Sequence, residues 1–192
     1  MVFILCLAGS VSGQQYFPDH AFYSDEHRNQ FVVEWYSKPL KALGEPSFWE
    51  LSQRSNQQVY RFLWLRSFSH PVAVRLELRP DGSAILTIQT TDGAGGYAPG
   101  RLIENRERTI SAEQMKWFLQ RVDELKYWNL PTEEPRGKSL GLDGAQWILE
   151  ASRSGRYKIV DRWSPRDGPI RALGLEMMIE LADMPLLYKE VY

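Results

Sequence analysis

The run VAVRLELRPDGSAILTI, residues 72–88, decides the fold class. Val72, Val74, Leu76 and Leu78 alternate with Ala73, Arg75, Glu77 and Arg79, the period-two pattern of a strand with one buried and one wet face. Pro80-Asp81-Gly82 supplies the turn, since proline presets φ and glycine accepts a left-handed backbone. Ala84, Leu86 and Ile88 then resume the apolar parity, so the stretch closes on itself as a β-hairpin.

Working outward, Val59 to Phe68 reads as a preceding strand with Tyr60, Phe62, Trp64 and Phe68 on one parity and Arg61 and Leu63 on the other. His70-Pro71 ends it. On the other side, Thr91 to Arg101 is glycine-rich. It lacks both the Gly-Lys-Ser/Thr of a phosphate loop and the glycine spacing of a dinucleotide fingerprint, so it reads as a structural loop. Leu102 to Thr109 follows as an edge strand guarded by its own charges. Ile110 to Met115 opens a helix with a capping box, Ser111 with Gln114, and Met115, Phe118, Leu119, Val122 and Leu125 form its apolar stripe. Tyr127-Trp128 extends its apolar end before Pro131 stops it.

A second hairpin is predicted from Ala145, Trp147, Leu149 and Ala151, the turn Arg153-Ser154-Gly155, and Tyr157 and Ile159 on the return. A last helix runs from about Pro169 to Asp183 with Ile170, Leu173, Gly174, Met177, Met178 and Leu181 inward. The expectation is an α+β fold: an antiparallel sheet of two hairpins plus an edge strand, packed on one face by two helices, with an N-terminal helical extension. Asp92-Gly93-Ala94 and Asp143-Gly144-Ala145 echo each other faintly, as a degenerate duplication would.

Residues 58–192 form the α+β domain on this reading, and residues 14–57 an N-terminal arm with helices. Ser24 caps the first helix, Pro39 kinks or ends it, and a further helical turn covers Ser47 to Ser52. Residues 1–13 read as a secretory signal: an apolar run from Val2 to Ala8, then small and polar residues. That run is too short to span a bilayer, so a soluble periplasmic or secreted protein without stable membrane insertion is expected. Cys6, the single cysteine, lies inside the signal, which leaves the mature chain without disulfide or thiol chemistry.

A net charge of −1 lacks the basic excess of a general nucleic-acid binder. His20 and His27 have no third ligand nearby in sequence and read as capping or solvated residues, so neither metal nor cofactor is expected. One enzymatic reading is a periplasmic hydrolase that uses carboxylates such as Asp143 and Glu150, with Asp161 and His70 as further acids and bases and Ser139 or Ser164 as a nucleophile. No G-x-S-x-G elbow supports it, and no catalytic residue is assigned. Asp143, Trp147, Arg156, Tyr157, Arg162 and Trp163 instead make a candidate contact set at the ends of the second hairpin, from residue types enriched in interfaces. The partner would be another protein or a cell-envelope glycan. A structural role for the same Arg and Trp residues stands beside that reading.

The pieces Asp81-Gly82, Ile110 to Gln114, Tyr127-Trp128, Asp143 to Glu150 and Gly155 to Pro165 resemble an uncharacterised family of exported bacterial proteins, a domain of unknown function. The resemblance spans about residues 59–183. It implies bacterial origin and a periplasmic or secreted location, and it carries no activity.

Overall fold

A computed structural model describes residues 13–95, 97–134, 143–186 and 191. The predicted signal, apart from Gly13, and most of the loop before the second hairpin lie outside the described residues. The chain is α+β, built on a six-stranded antiparallel sheet in the order β4-β3-β2-β1-β5-β6. The strands are β1 Val59–Arg66, β2 Val72–Leu78, β3 Ala84–Thr91, β4 Leu102–Ile110, β5 Ala145–Arg153 and β6 Arg156–Trp163. The hairpin at residues 72–88 forms β2 and β3, with Val74 opposite Ile88 and Leu76 opposite Leu86. Strand β1 is central, flanked by β2 and β5, and both of its faces are buried because a layer packs on each side of the sheet.

Among the described residues, four α-helices cover the sheet: α1 Glu26–Leu43, α2 Phe48–Arg54, α3 Ala112–Glu124 and α4 Pro169–Leu175. On one face, here the back, Tyr60, Phe62, Trp64, Val74, Leu86, Trp147 and Val160 pack with Met115, Phe118 and Val122 of α3 and with Ile170 and Leu173 of α4. The capping box of α3 is present: Ser111 accepts from the Gln114 amide, and the Gln114 side chain accepts from the Ser111 amide. The last helix widens into one π-helical segment, Glu176–Leu181, that keeps Met177, Met178 and Leu181 buried. Gly174 is obligatory where α4 meets the sheet, because a Cβ there would lie 2.8 Å from both Phe62 and Trp147.

The N-terminal extension covers the other face, here the front, which makes the sheet a middle layer. Tyr16, Phe17, Phe22, Tyr36, Leu40 and Leu43 pack on Leu63, Leu65, Ala73, Ile148 and Ile159. Two sequence expectations change here. Asp25 rather than Ser24 caps α1, accepting from the Arg28 amide. Pro39 does not end the helix, which continues until Gly44 turns left-handed at φ 74°. Pro39 is buried, so packing holds the helix through the missing amide bond.

Strand β4 is exposed along nearly its whole length, and Arg106 pairs with Glu104 at 3.5 Å, as its charge pattern suggested. The glycine-rich loop before it is a built hairpin tip. Asp92 and Gly93 donate to the carbonyls of Arg101 and Pro99, and Gly95 donates to Ser69 in the β1–β2 turn. Tyr97 stands 71% exposed on that tip and meets the Trp35 ring at 4.9 Å.

Candidate functional site

Adjacent residues of a strand point to opposite faces, and this splits the candidate contact set. In the β5–β6 register, Trp147 pairs with Arg162 on the back face, while Gln146 pairs with Trp163 and Ser152 with Tyr157 on the front. Arg162 and Trp163 therefore do not form one patch. Arg162 donates to the carbonyls of Pro131, Thr132 and Asp161 at 2.9, 2.9 and 2.6 Å, clamping the segment after α3 onto the edge of β6. Burial lowers its pKa. Trp163 is half-buried, with its ring over Gly144, where a Cβ would come within 2.7 Å of it.

Trp147 is a correction to the contact reading, since it has no exposed surface. Its ring lies 5.1 Å from Phe62 and 6.0 Å from Trp64, and the Arg171 guanidinium sits 5.4 Å from its centroid. Tyr157 is half-buried on the front face, edge-on to Trp49 at 5.8 Å, and donates to Glu150 at 2.7 Å. Burial, then the Glu150 carboxylate, push its hydroxyl well above the usual tyrosine range. Asp143 and Arg156 are exposed, at opposite ends of the hairpin.

At the Asp143 end lies an open cleft of about 340 Å³ lined by Asp143, Gly144, Ser164, Pro165, Arg166 and Arg171. The local backbone explains its shape. Ser164 turns left-handed at φ 40°, accepts from the Ala145 amide at 2.8 Å, and reverses the chain after β6. Ser67 of the β1–β2 turn donates through both amide and hydroxyl to the Gly144 carbonyl, at 2.9 and 3.0 Å. Arg171 spans from the Pro165 carbonyl to that of Val191, at 3.0 Å each, so its guanidinium is a fixed wall. A second depression of about 200 Å³, shared across Pro165, is lined by Glu134, Arg162, Asp167 and Pro169 among others.

Beneath α2 the front face holds a buried ionic chain that sequence reasoning missed. Cross-strand pairing places Arg75, Arg61 and Glu150 side by side on β2, β1 and β5. Arg61, with no exposed surface, donates through Nε at 3.0 Å and through Nη2 to Glu150. Its Nη1 donates to Glu45 at 3.0 Å and to the Pro46 carbonyl at 2.7 Å. The guanidinium lies 4.3 Å from the Phe48 ring centroid. Arg75 reaches Glu45 at 3.1 Å and also pairs with Glu77. Burial alone would lower the Arg61 pKa, but Glu150 and Glu45 outweigh it and raise it.

The carboxylates and bases proposed for hydrolysis are thus dispersed. Glu150 is fully buried and committed to Arg61 and Tyr157. Asp161 is buried, accepts from Tyr36 at 2.7 Å and from Gln146 at 2.6 Å, and has a pKa raised to about 6 by desolvation. The His70 ring contacts the Gly93 carbonyl at 3.0 Å and, among the described residues, pairs with no serine or carboxylate. Asp143 precedes Glu150 by seven residues of extended chain, roughly 20 Å, beyond the ~5–10 Å between paired glycosidase carboxylates. Ser139 lies outside the described residues. His20 sits 3.7 Å from Glu26 on the surface, and no group of three or more His, Cys, Asp or Glu gathers among the described residues. No helix among them is long and apolar enough to cross a membrane.

No family model matches the chain. A stretch of 61 residues is 34% identical to part of an acetyl-coenzyme A synthetase from Coprinopsis cinerea, covering 32% of this chain and 9% of the synthetase. The chain thus matches under a tenth of that protein's length, and the likeness assigns no family.

Proposed function

We propose that the protein is a non-catalytic binding module, exported to the periplasm or beyond, that meets a protein or a cell-envelope glycan with the Asp143 end of the β5–β6 hairpin. The supporting observation is the open cleft between Asp143, Ser164, Arg166 and Arg171, in which hydrogen bonds to the backbone hold the Ser164 and Arg171 side chains. At about 340 Å³ it is at the small end for an enclosing ligand pocket, and it suits a contact patch of mixed charge. Export rests on the apolar run at residues 2–8 and on the resemblance to exported bacterial proteins. The hydrolase alternative with Asp143 and Glu150 lacks a shared cleft.

Charge reversal in the cleft tests this reading. Asp143→Lys with Arg166→Glu changes exposed side chains only, so the melting temperature should stay close to that of the parent. Retention on immobilised envelope glycan, or recovery of a discrete protein from envelope extract, should be lost. Undiminished capture by the double variant would sink the proposal.

A further inference from the structure

The opposite end of the same hairpin carries an unusual juxtaposition of cations. The turn Ser154-Gly155 has both residues left-handed, at φ 52° and 75°, so Arg153 and Arg156 form the terminal cross-strand pair. Directly opposed like charges destabilise a strand pair. Both guanidiniums flank one indole, Trp128, at 5.7 and 5.1 Å from the ring centroid. Trp128 is itself held in place, because the neighbouring Tyr127 hydroxyl donates to the Leu149 and Lys158 carbonyls at 2.8 and 3.1 Å.

Further positive charge lies close by. Lys126 begins the turn that carries Trp128, and Lys158 follows Arg156 on the same face of β6. Among the described residues, none of Arg153, Arg156, Lys126 and Lys158 is in an ion pair. Asp123 bears on the same Tyr60 hydroxyl as Arg153 but makes no ion pair with it. The indole face orients two guanidiniums without neutralising either.

We propose that Arg153, Arg156 and the face of Trp128 form a binding site for a phosphomonoester group. Two facing monocations are balanced by a charge near −2, which a phosphomonoester carries close to neutral pH. Its three terminal oxygens can accept from both guanidinium forks at once, whereas one planar carboxylate is satisfied by a single fork. This site lies the length of β6 away from the Asp143 cleft, roughly 20 Å, and does not depend on the function proposed for that cleft.

The test follows the arginine Nε–Hε resonances of the folded protein at low salt and pH 7.5. Inorganic phosphate and phosphoserine should produce saturable shifts confined to Arg153 and Arg156. Succinate, and Arg156→Gln or Arg153→Lys with phosphate, should bind at least about tenfold more weakly, and chloride at matched ionic strength should give no saturable shift. Arg156→Gln should melt no lower than the parent without phosphate, since it removes a like-charge pair. Equal binding of succinate, unaltered phosphate binding in the variants, or no saturable response to phosphate overturns the proposal. So does a marked fall in melting temperature for Arg156→Gln without phosphate, which would make the pair a structural brace.

Discussion

Replacing Arg61 by methionine should be among the most damaging single changes in this protein, and the size of the loss can be worked from its surroundings. The side chain has no exposed surface and neutralises Glu45 and Glu150 from the middle of the sheet. Methionine fills much of the volume but leaves the buried Glu150 without a cation and Glu45 with Arg75 alone. Removing one member of a buried ion pair costs about 3–5 kcal/mol, far more than the same change at the surface. For a chain of this length each kcal/mol moves the midpoint by about 2–4 °C, so a fall of about 10 °C is expected. Urea unfolding followed by circular dichroism should show a lower midpoint with an unchanged slope.

The loss should also depend on pH, with a definite sign. Without Arg61 the buried Glu150 has no cation beside it, and adding a proton relieves that uncompensated charge only in the folded state. The variant is then least impaired near pH 4, below the unfolded glutamate pKa of ~4.3, and falls behind the parent as pH rises. Adding Glu150→Gln to Arg61→Met should recover much of the loss, because Glu45 still pairs with Arg75. A cost under about 1 kcal/mol for Arg61→Met alone would refute the reasoning, because it would mean that water reaches the cluster.

Two further outcomes follow from the same face and edge of the sheet. Asp161 has a folded pKa raised to about 6, so its favourable contribution is complete below the unfolded value and is lost as pH rises through about 6. Asp161→Asn should therefore match the parent near pH 4 and exceed it at pH 7.5 by up to about 3 kcal/mol in chemical denaturation; a variant weaker than the parent at pH 7.5 would contradict this. Arg162→Ala should free the Pro131–Thr132 segment from β6, lowering stability by about 1–3 kcal/mol and speeding amide exchange at Asp161, whose amide donates to the Thr132 carbonyl at 2.7 Å. Parent-like exchange at Asp161 would show that the clamp is not needed.

Local patterns were readable wherever one face of an element meets one core. The Asp81-Gly82 hairpin, the Ser111–Gln114 capping box and the stripes of α3 and α4 all rest on periodicity that a single interface imposes. Strand β1 was harder, because VYRFLWLR is buried on both faces and the alternation carries no solvent signal. Arg61 was visible there as a charge inside an apolar run, as was Glu150 in WILEAS. Their pairing depended on β5 lying beside β1, a long-range adjacency that spacing along the chain does not encode.

The front-face role of the N-terminal extension was equally hidden. Its buried aromatics are spread over an irregular arm and one side of α1, so no single period reports them. The Arg162-Trp163 patch is a different lesson. Period-two alternation already sends the two side chains to opposite faces, and the register places them there.

The most direct test of the account is a map of contacts made in the living cell. A photo-crosslinking residue placed at Asp143 or Arg166, in the cleft, should give a discrete adduct with a protein or glycan. The same residue at Lys116, exposed on α3, should give none. Adducts from Lys116 but from neither cleft position would contradict the claim that the Asp143 end of the hairpin is where this protein meets its partner.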